Sequence, residues 1–213
     1  MFQYIAERPN YILYKTWQHF YLFLLSWAIA AVVGIAIGIF VTRPGRKKAG
    51  NAILSITGAA QSVPSIAVIS LVFLLLGIGD TPAIVALFVY SLVPIVFNCA
   101  SGLLSIDPAM LEAARGMGMT PGQILFRVEL PVAIAPISSG LRSAATINIG
   151  TATIASAIGA GGLGEIIFVG LRTANNGMIL TGALFSALMA IIVDTVFGFI
   201  ESGMTSEGIR VTD

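Results

Sequence analysis

Residues 21–41 read YLFLLSWAIAAVVGIAIGIFV, a run without a single charged side chain. A helix needs about 20 mostly apolar residues to cross the ~30 Å hydrocarbon core of a bilayer, so this stretch alone puts the chain in a membrane. Further apolar stretches follow at 52–78, 83–104, 132–158 and 179–200. The composition agrees. Of 213 residues 57% are hydrophobic and 10% charged, the mean hydropathy is +0.95, and soluble domains carry about 25% charged residues. The fold expected is all-α and polytopic, with about five transmembrane helices. The second stretch is interrupted at Ser62-Val63-Pro64 and reads either as one kinked helix or as two half-helices, because proline removes a backbone donor and neighbouring helices must satisfy the freed carbonyl.

The basic residues orient the chain. Arg43, Arg46, Lys47 and Lys48 lie just past the first span, and short loops dense in Lys and Arg stay cytoplasmic. The amino terminus is then expected outside. By alternation 79–82 and 159–177 fall outside, while the segment around Glu112 and the carboxyl end with Glu201, Glu207 and Arg210 fall inside. Residues 1–20 mix aromatics (Phe2, Tyr4, Tyr11, Tyr14, Trp17, Phe20) with Glu7, Arg8, Lys15 and His19, a pattern suited to an external segment lying along the interface. The first apolar run is too long for a cleaved signal peptide. Three regions result: an interfacial segment 1–20, a membrane domain 21–200 with a cytoplasmic segment at 106–131, and a cytoplasmic tail 201–213. The single cysteine, Cys99, falls in a span and has no intramolecular partner.

Between the third and fourth spans stands EAARGMGMTPGQILFRVELP, Glu112 to Pro131. Ala113, Ala114 and Gly116 carry almost no side chain, so another protein's surface can approach the backbone there, with Glu112 and Arg115 offering charge at the rim. E-A-A-R is also good helix-forming sequence in its own right. The glycines at 116 and 118 and the closing Leu130-Pro131 go further: the segment resembles the cytoplasmic EAA signature of ABC importer permeases. The resemblance implies a type I ABC importer fold and assigns ATPase coupling to Glu112, Ala113, Ala114, Arg115, Gly116 and Gly118. It also implies the partners: two ATPase subunits, an external or periplasmic solute-binding protein, a second permease copy or a paired permease, and the bilayer of the cell membrane, with no nucleic acid among them.

Gln61-Ser62-Val63-Pro64-Ser65, Gly77-Ile78-Gly79 with Thr81-Pro82-Ala83-Ile84, Leu92-Val93-Pro94-Ile95-Val96, Asp107-Pro108 and GAGGLG at 159–164 narrow the resemblance to permeases of osmoprotectant importers, which handle glycine betaine, carnitine and choline. A permease for methionine or another small solute is the main alternative within the class. An ATP-independent secondary transporter or channel subunit is the alternative outside it, and the segment at 112–131 argues against that.

Catalytic constellations are absent. No G-x-x-x-x-G-K-[ST] occurs, so ATP and Mg belong to a partner subunit and no cofactor is expected on this chain. His19 is the one histidine; at an interface it reads as solvated, and no metal site is expected. Gly159, Gly161 and Gly164 match a dinucleotide-binding spacing, but that reading requires a preceding strand and a βαβ unit, so they are read as a close turn. Gly34 and Gly38 have a GxxxG spacing and are read as helix packing rather than a dedicated dimer seam.

Helical geometry supplies candidates for the solute path. Thr146, Gly150 and Thr153 recur at i, i+4 and i+7 in the fourth span, with Asn148 and Thr151 on an adjacent face; packing and pathway fit these positions equally. Gln61, Ser62 and Ser65 beside Pro64, and Asn98 in the third span, join them. Two charges fall inside spans, Arg142 and Asp194. Intramembrane charges are costly and usually face the bundle and pair. Since the fourth and fifth spans run antiparallel, the two are expected at similar depth as a helix–helix ion pair that sets packing.

Overall fold

A computed structural model describes residues 1–204, and the tail positions Glu207 and Arg210 lie outside the described residues. Among these residues the chain is helical, with no strand. In order the helices are α1 (Phe2–Glu7), α2 (Pro9–Val41), α3 (Lys47–Ala60), α4 (Ser65–Leu76), α5 (Asp80–Leu104), α6 (Pro108–Gly116), α7 (Pro121–Ile124), α8 (Leu130–Val132), α9 (Ile134–Ala155), α10 (Leu163–Arg172) and α11 (Asn176–Met204). Helices α2, α5 and α11 are each long and apolar enough to span unbroken; α3 with α4, bent by 98°, and the 121–132 segment with α9, bent by 64°, bring the number up to five when each bent pair is one span.

The breaks have local causes. Pro64 cannot continue α3, so the chain turns at Gln61–Pro64 and α4 starts afresh. Pro131 brings no N–H to its helix. Just before it the backbone widens into a π-turn over Leu125–Glu129, and the axis bends at Ala133.

Two expectations need correction here. Residues 9–20 are not a separate interfacial segment: they are the first turns of α2. Pro9 sits at its start, where a missing N–H costs nothing, and nothing from Asn10 to Val41 breaks the helix. At 33 residues α2 is about 50 Å long, well beyond a ~30 Å core. The stretch 159–177 is also more than a loop, since it contains α10.

Helix α5 is the centre: half of its most apolar window is buried, against 22% for α2 and 11% for α11. It packs chiefly against α2 and α9. Close approach explains part of the sequence. A Cβ on Gly34 would meet Ile95 Cγ2 at 2.7 Å and one on Gly38 would meet Cys99 Sγ at 2.6 Å, so this glycine pair seats α2 on α5 within the chain. Toward one end Leu22, Ile69, Ala83, Leu87, Ala152 and Ala160 pack together; toward the other Cys99, Leu103, Ile106, Ala133 and Ile137 do.

Candidate coupling segment and translocation face

The segment at 106–131 builds a capped helical hairpin. Asp107 accepts a hydrogen bond from Ala109 N at 2.8 Å and Pro108 opens α6. Gly118, at φ +77°, makes the turn out of it. Thr120 and Gln123 then form a reciprocal capping box, with Thr120 N donating to Gln123 Oε1 at 2.8 Å and Gln123 N donating to Thr120 Oγ1 at 3.4 Å. That box was readable in T-P-G-Q as a polar residue followed three positions later by Gln. Glu112, Ala113, Arg115, Gly116 and Gly118 are exposed. Ala114 is fully buried, turned into the protein rather than toward a partner, because a three-residue step from Leu111 keeps it on the inner side of α6.

This hairpin shares one end of the bundle with the basic cluster. Arg43 Nη1 donates to Glu129 Oε2 at 2.7 Å, and both side chains are largely withdrawn from solvent, at 24% and 13% exposure. Two cavities of about 360 and 290 Å³ flank the pair, and Arg115 lines both. The spacing of Arg43 and Glu129 gives no hint of the contact, which crosses 86 positions.

The opposite end is closed by the glycine turn. Gly159, Gly161 and Gly162 have φ of +82°, +71° and +72°, conformations that side chains with a Cβ rarely adopt. Gln18 grips the turn: its Oε1 accepts from Gly162 N at 3.0 Å and its Nε2 donates to Ala160 O at 3.4 Å. Lys15 pairs with Glu165 of α10 at 2.6 Å, and Tyr11 donates to the same carboxylate at 3.2 Å. His19, expected to be solvated, is instead buried against Gly162 with Nε2 3.1 Å from Ile149 O. The extra turns of α2 carry it inward, since one face of that extension lies on α9 and α10. The nucleotide-like spacing thus serves a turn packed on α2.

The path candidates divide by face. Helix α9 turns Ser139, Ser143, Thr146, Ile147 and Gly150 outward, with Thr153 half-buried beside them. Asn148 and Thr151 do not belong to that open face. Asn148 Nδ2 donates to Ser26 Oγ at 2.9 Å and to Ser91 Oγ at 2.7 Å, tying α2, α5 and α9 together, and Thr151 is buried on the same side. Their 3.6-residue phase points them at the core. Gln61, Ser62 and Ser65 sit at the elbow between α3 and α4, with Gln61 and Ser62 exposed and Ser65 half-buried. There Gln61 and Ile147 border a cavity of about 70 Å³ with Tyr90 and Pro94, and Tyr90 donates to Val63 O at 3.4 Å. Asn98 is half-buried and spends its Nδ2 on Pro94 O at 2.8 Å.

Arg142 and Asp194 meet. Nε donates to Oδ1 and Nη2 to Oδ2, each at 2.7 Å, a bidentate pair between α9 and α11. Glu201, which was not foreseen, adds a third member at 3.3 Å from Nη1. Gly198 leaves room for the guanidinium to cross α11. Among the described residues no group of His, Cys, Asp and Glu is arranged to hold a metal.

Up to five spans, two of them broken, with an exposed hairpin at the basic end and an open face carrying hydroxyls, define a polytopic helical membrane component. The chain belongs to the family of binding-protein-dependent transport system inner membrane components, which it matches over residues 34–206. It is 38% identical to the glycine betaine/carnitine/choline transport system permease protein OpuCD of Bacillus subtilis (strain 168), over 95% of this chain and 88% of that one. It is 43% identical to the osmoprotectant import permease protein OsmY of Salmonella typhimurium, over 92% and 83% of the two. In structure it is similar to an inward-facing form of the MetNI methionine ABC transporter, with a TM-score of 0.79, 27% identity, and 93% and 99% of the chains covered. It is therefore the multi-pass, non-catalytic permease component of an ABC importer with the type I fold, a class that works with an ATPase and a binding protein.

Proposed function

We propose that this permease carries osmoprotectant quaternary amines of the glycine betaine, carnitine and choline type, received from a binding protein outside and released to the cytoplasm. The observation that carries the substrate class is the near full-length similarity to permeases named for these solutes in one bacterium and for osmoprotectants in another. In this reading two ATPase subunits, which hold ATP and Mg, dock on the exposed side of α6 through Glu112, Ala113, Arg115, Gly116 and Gly118. A second copy of this chain or a paired permease faces the open side of α9, and the path runs past Thr146, Thr153 and the elbow at Gln61, Ser62 and Ser65. The Arg142–Asp194 pair sets the packing of α9 on α11 rather than binding solute. The amino terminus lies outside and the carboxyl end inside, which the basic residues at 43–48 support.

The coupling role is tested by Gly116→Trp. A Cβ at Gly116 meets nothing within 4 Å, so the substitution leaves the permease's own packing alone. Membrane yield is expected to hold while co-purification with the ATPase and uptake fall; normal ATPase binding and uptake would remove the assignment. Uptake of radiolabelled glycine betaine, carnitine and choline in competition with methionine tests the substrate class.

A further inference from the structure

The coupling segment is joined to the membrane bundle covalently through α8 and the bend at Ala133 into α9. The structure shows one more connection. Glu129 is the last residue of the π-turn, immediately before Leu130-Pro131, and its carboxylate is held by Arg43 at the far end of α2. Arg43 is itself a fixed arm: Nε donates to Ile39 O at 2.9 Å, so the guanidinium caps the last turn of α2 while its Nη1 reaches Glu129. A cation at this end also complements the helix dipole. A single planar fork thus grips a helix end and the hinge together, which Lys cannot do.

The surroundings favour motion at this point. A π-turn, a proline and a 64° bend fall within nine residues, and such interruptions commonly mark places where a helix is remodelled in function. Cavities lie on both sides of the ion pair and share Arg43, Arg115 and Glu129 as lining. Ile39 of α2 and Leu111 and Leu130 of the hairpin also rest on the apolar cluster around Leu103 and Ile106, a contact that can slide, whereas the ion pair is the directional polar tie between the two.

We propose that Arg43 and Glu129 form a positioning pair that makes the first span follow the coupling segment, a second link beside the covalent one to α9. The proposal rests on the reading of 106–131 as the ATPase-coupling segment. Displacement of α6 by the ATPase reaches α9 through the chain and α2 through this pair. Because α2 packs along α5, both sides of the central helix then move in step.

The test uses the permease purified with its ATPase subunits, reconstituted with its binding protein in proteoliposomes, with ATP hydrolysis and uptake of radiolabelled glycine betaine measured on the same vesicles. In R43Q and E129Q the ATPase is expected to stay bound and active while solute moved per ATP falls roughly tenfold, the scale of a typical coupling free energy. The exchange R43E/E129R is expected to recover part of the loss, and R43K, which keeps the charge and the fold, to show a smaller loss at full membrane yield. An unchanged ratio in these variants, or reduced yield with an unchanged ratio in what assembles, would overturn the link. Failure of Gly116→Trp to affect docking would instead remove the coupling reading. If the wild type hydrolyses ATP without moving glycine betaine, the substrate class is at fault, and the same ratio is then read with carnitine, choline and methionine.

Discussion

The two ends of the bundle are held by different means. At the glycine-turn end, Lys15, Gln18 and His19 on one face of α2 reach Glu165, Gly162 and Ile149, and the turn itself is folded into positive-φ glycines packed against side chains. At the coupling end the polar tie between α2 and the hairpin is one ion pair flanked by cavities, beside an apolar cluster on which both rest. A cavity of about 450 Å³ lined by Ile158, Gly159 and Glu165 opens at the glycine-turn end too, but there several polar contacts and the glycine packing hold α2 in place, and many short-range contacts resist displacement more than one does. A single polar contact acts as a tether. The first end is built to hold its shape, the second to be pulled.

Substitutions at the packed end should therefore cost most. Gly164→Val is expected to have the largest effect: a Cβ there would overlap the Thr153 carbonyl oxygen and Ser156 Oγ, and overpacking by whole methyl groups commonly costs about 1–3 kcal/mol or more. Membrane yield after detergent extraction should collapse, and wild-type yield would show that this end yields after all. Next comes the α9–α11 pair. Arg142→Asp and Asp194→Arg should each lower yield and uptake, and the double exchange should return part of both; a double variant no better than the singles would mean that Arg142 and Asp194 act separately. Lys15→Met removes one of the partners of Glu165 and should lower Tm by roughly 2–4 °C, readable by thermal unfolding in detergent. The smallest effect is expected at the coupling end. Gly118→Ala imposes a Cβ at φ +77° but meets no neighbour within 4 Å, so only the conformational cost of about 1 kcal/mol remains, seen as a small Tm shift of the isolated permease. If Gly118→Ala proved as damaging as Gly164→Val, the contrast between the ends would fail.

The membrane class and the number of spans were legible because they depend on length and polarity, which a linear sequence carries. The break at Pro64 was legible for the same reason, a residue-level rule with no partner involved. What the sequence hid are contacts between distant positions. Lys15 and Glu165 stand 150 residues apart and His19 and Ile149 stand 130 apart, so an aromatic, mildly polar stretch at 1–20 read as interface when half of it is helix packed on α9 and α10. Arg43 was read only for its charge relative to the membrane, since Glu129 across from it stood in an apolar-looking run. Asn148 and Thr151 were grouped with the open stripe because the phase of a helix shows which residues share a face but not which face is covered. Arg142 and Asp194 were easier to pair, being the charges left over once the spans were drawn.

The elbow at Gln61–Pro64 has a consequence for the chain as a whole. Helix α3 starts at the coupling end, and the chain after α4 reaches Gly79, whose N–H donates to Ile158 O beside the glycine turn. The corner between them therefore lies at intermediate depth; Gln61, Ser62 and Val63 donate to the last carbonyls of α3 and Pro64 O accepts from Ala67 and Val68, so only the first amides of α4 are left without ladder partners. Hydrocarbon offers nothing to replace those partners, so acyl chains must be kept away from this corner. The molecule is consequently an amphiphile in the plane of the bilayer as well as across it. Lipid can wet the flank formed by α11, whereas the amides that open α4 call for protein or water beside the elbow, and that asymmetry favours one rotation of the chain about the membrane normal.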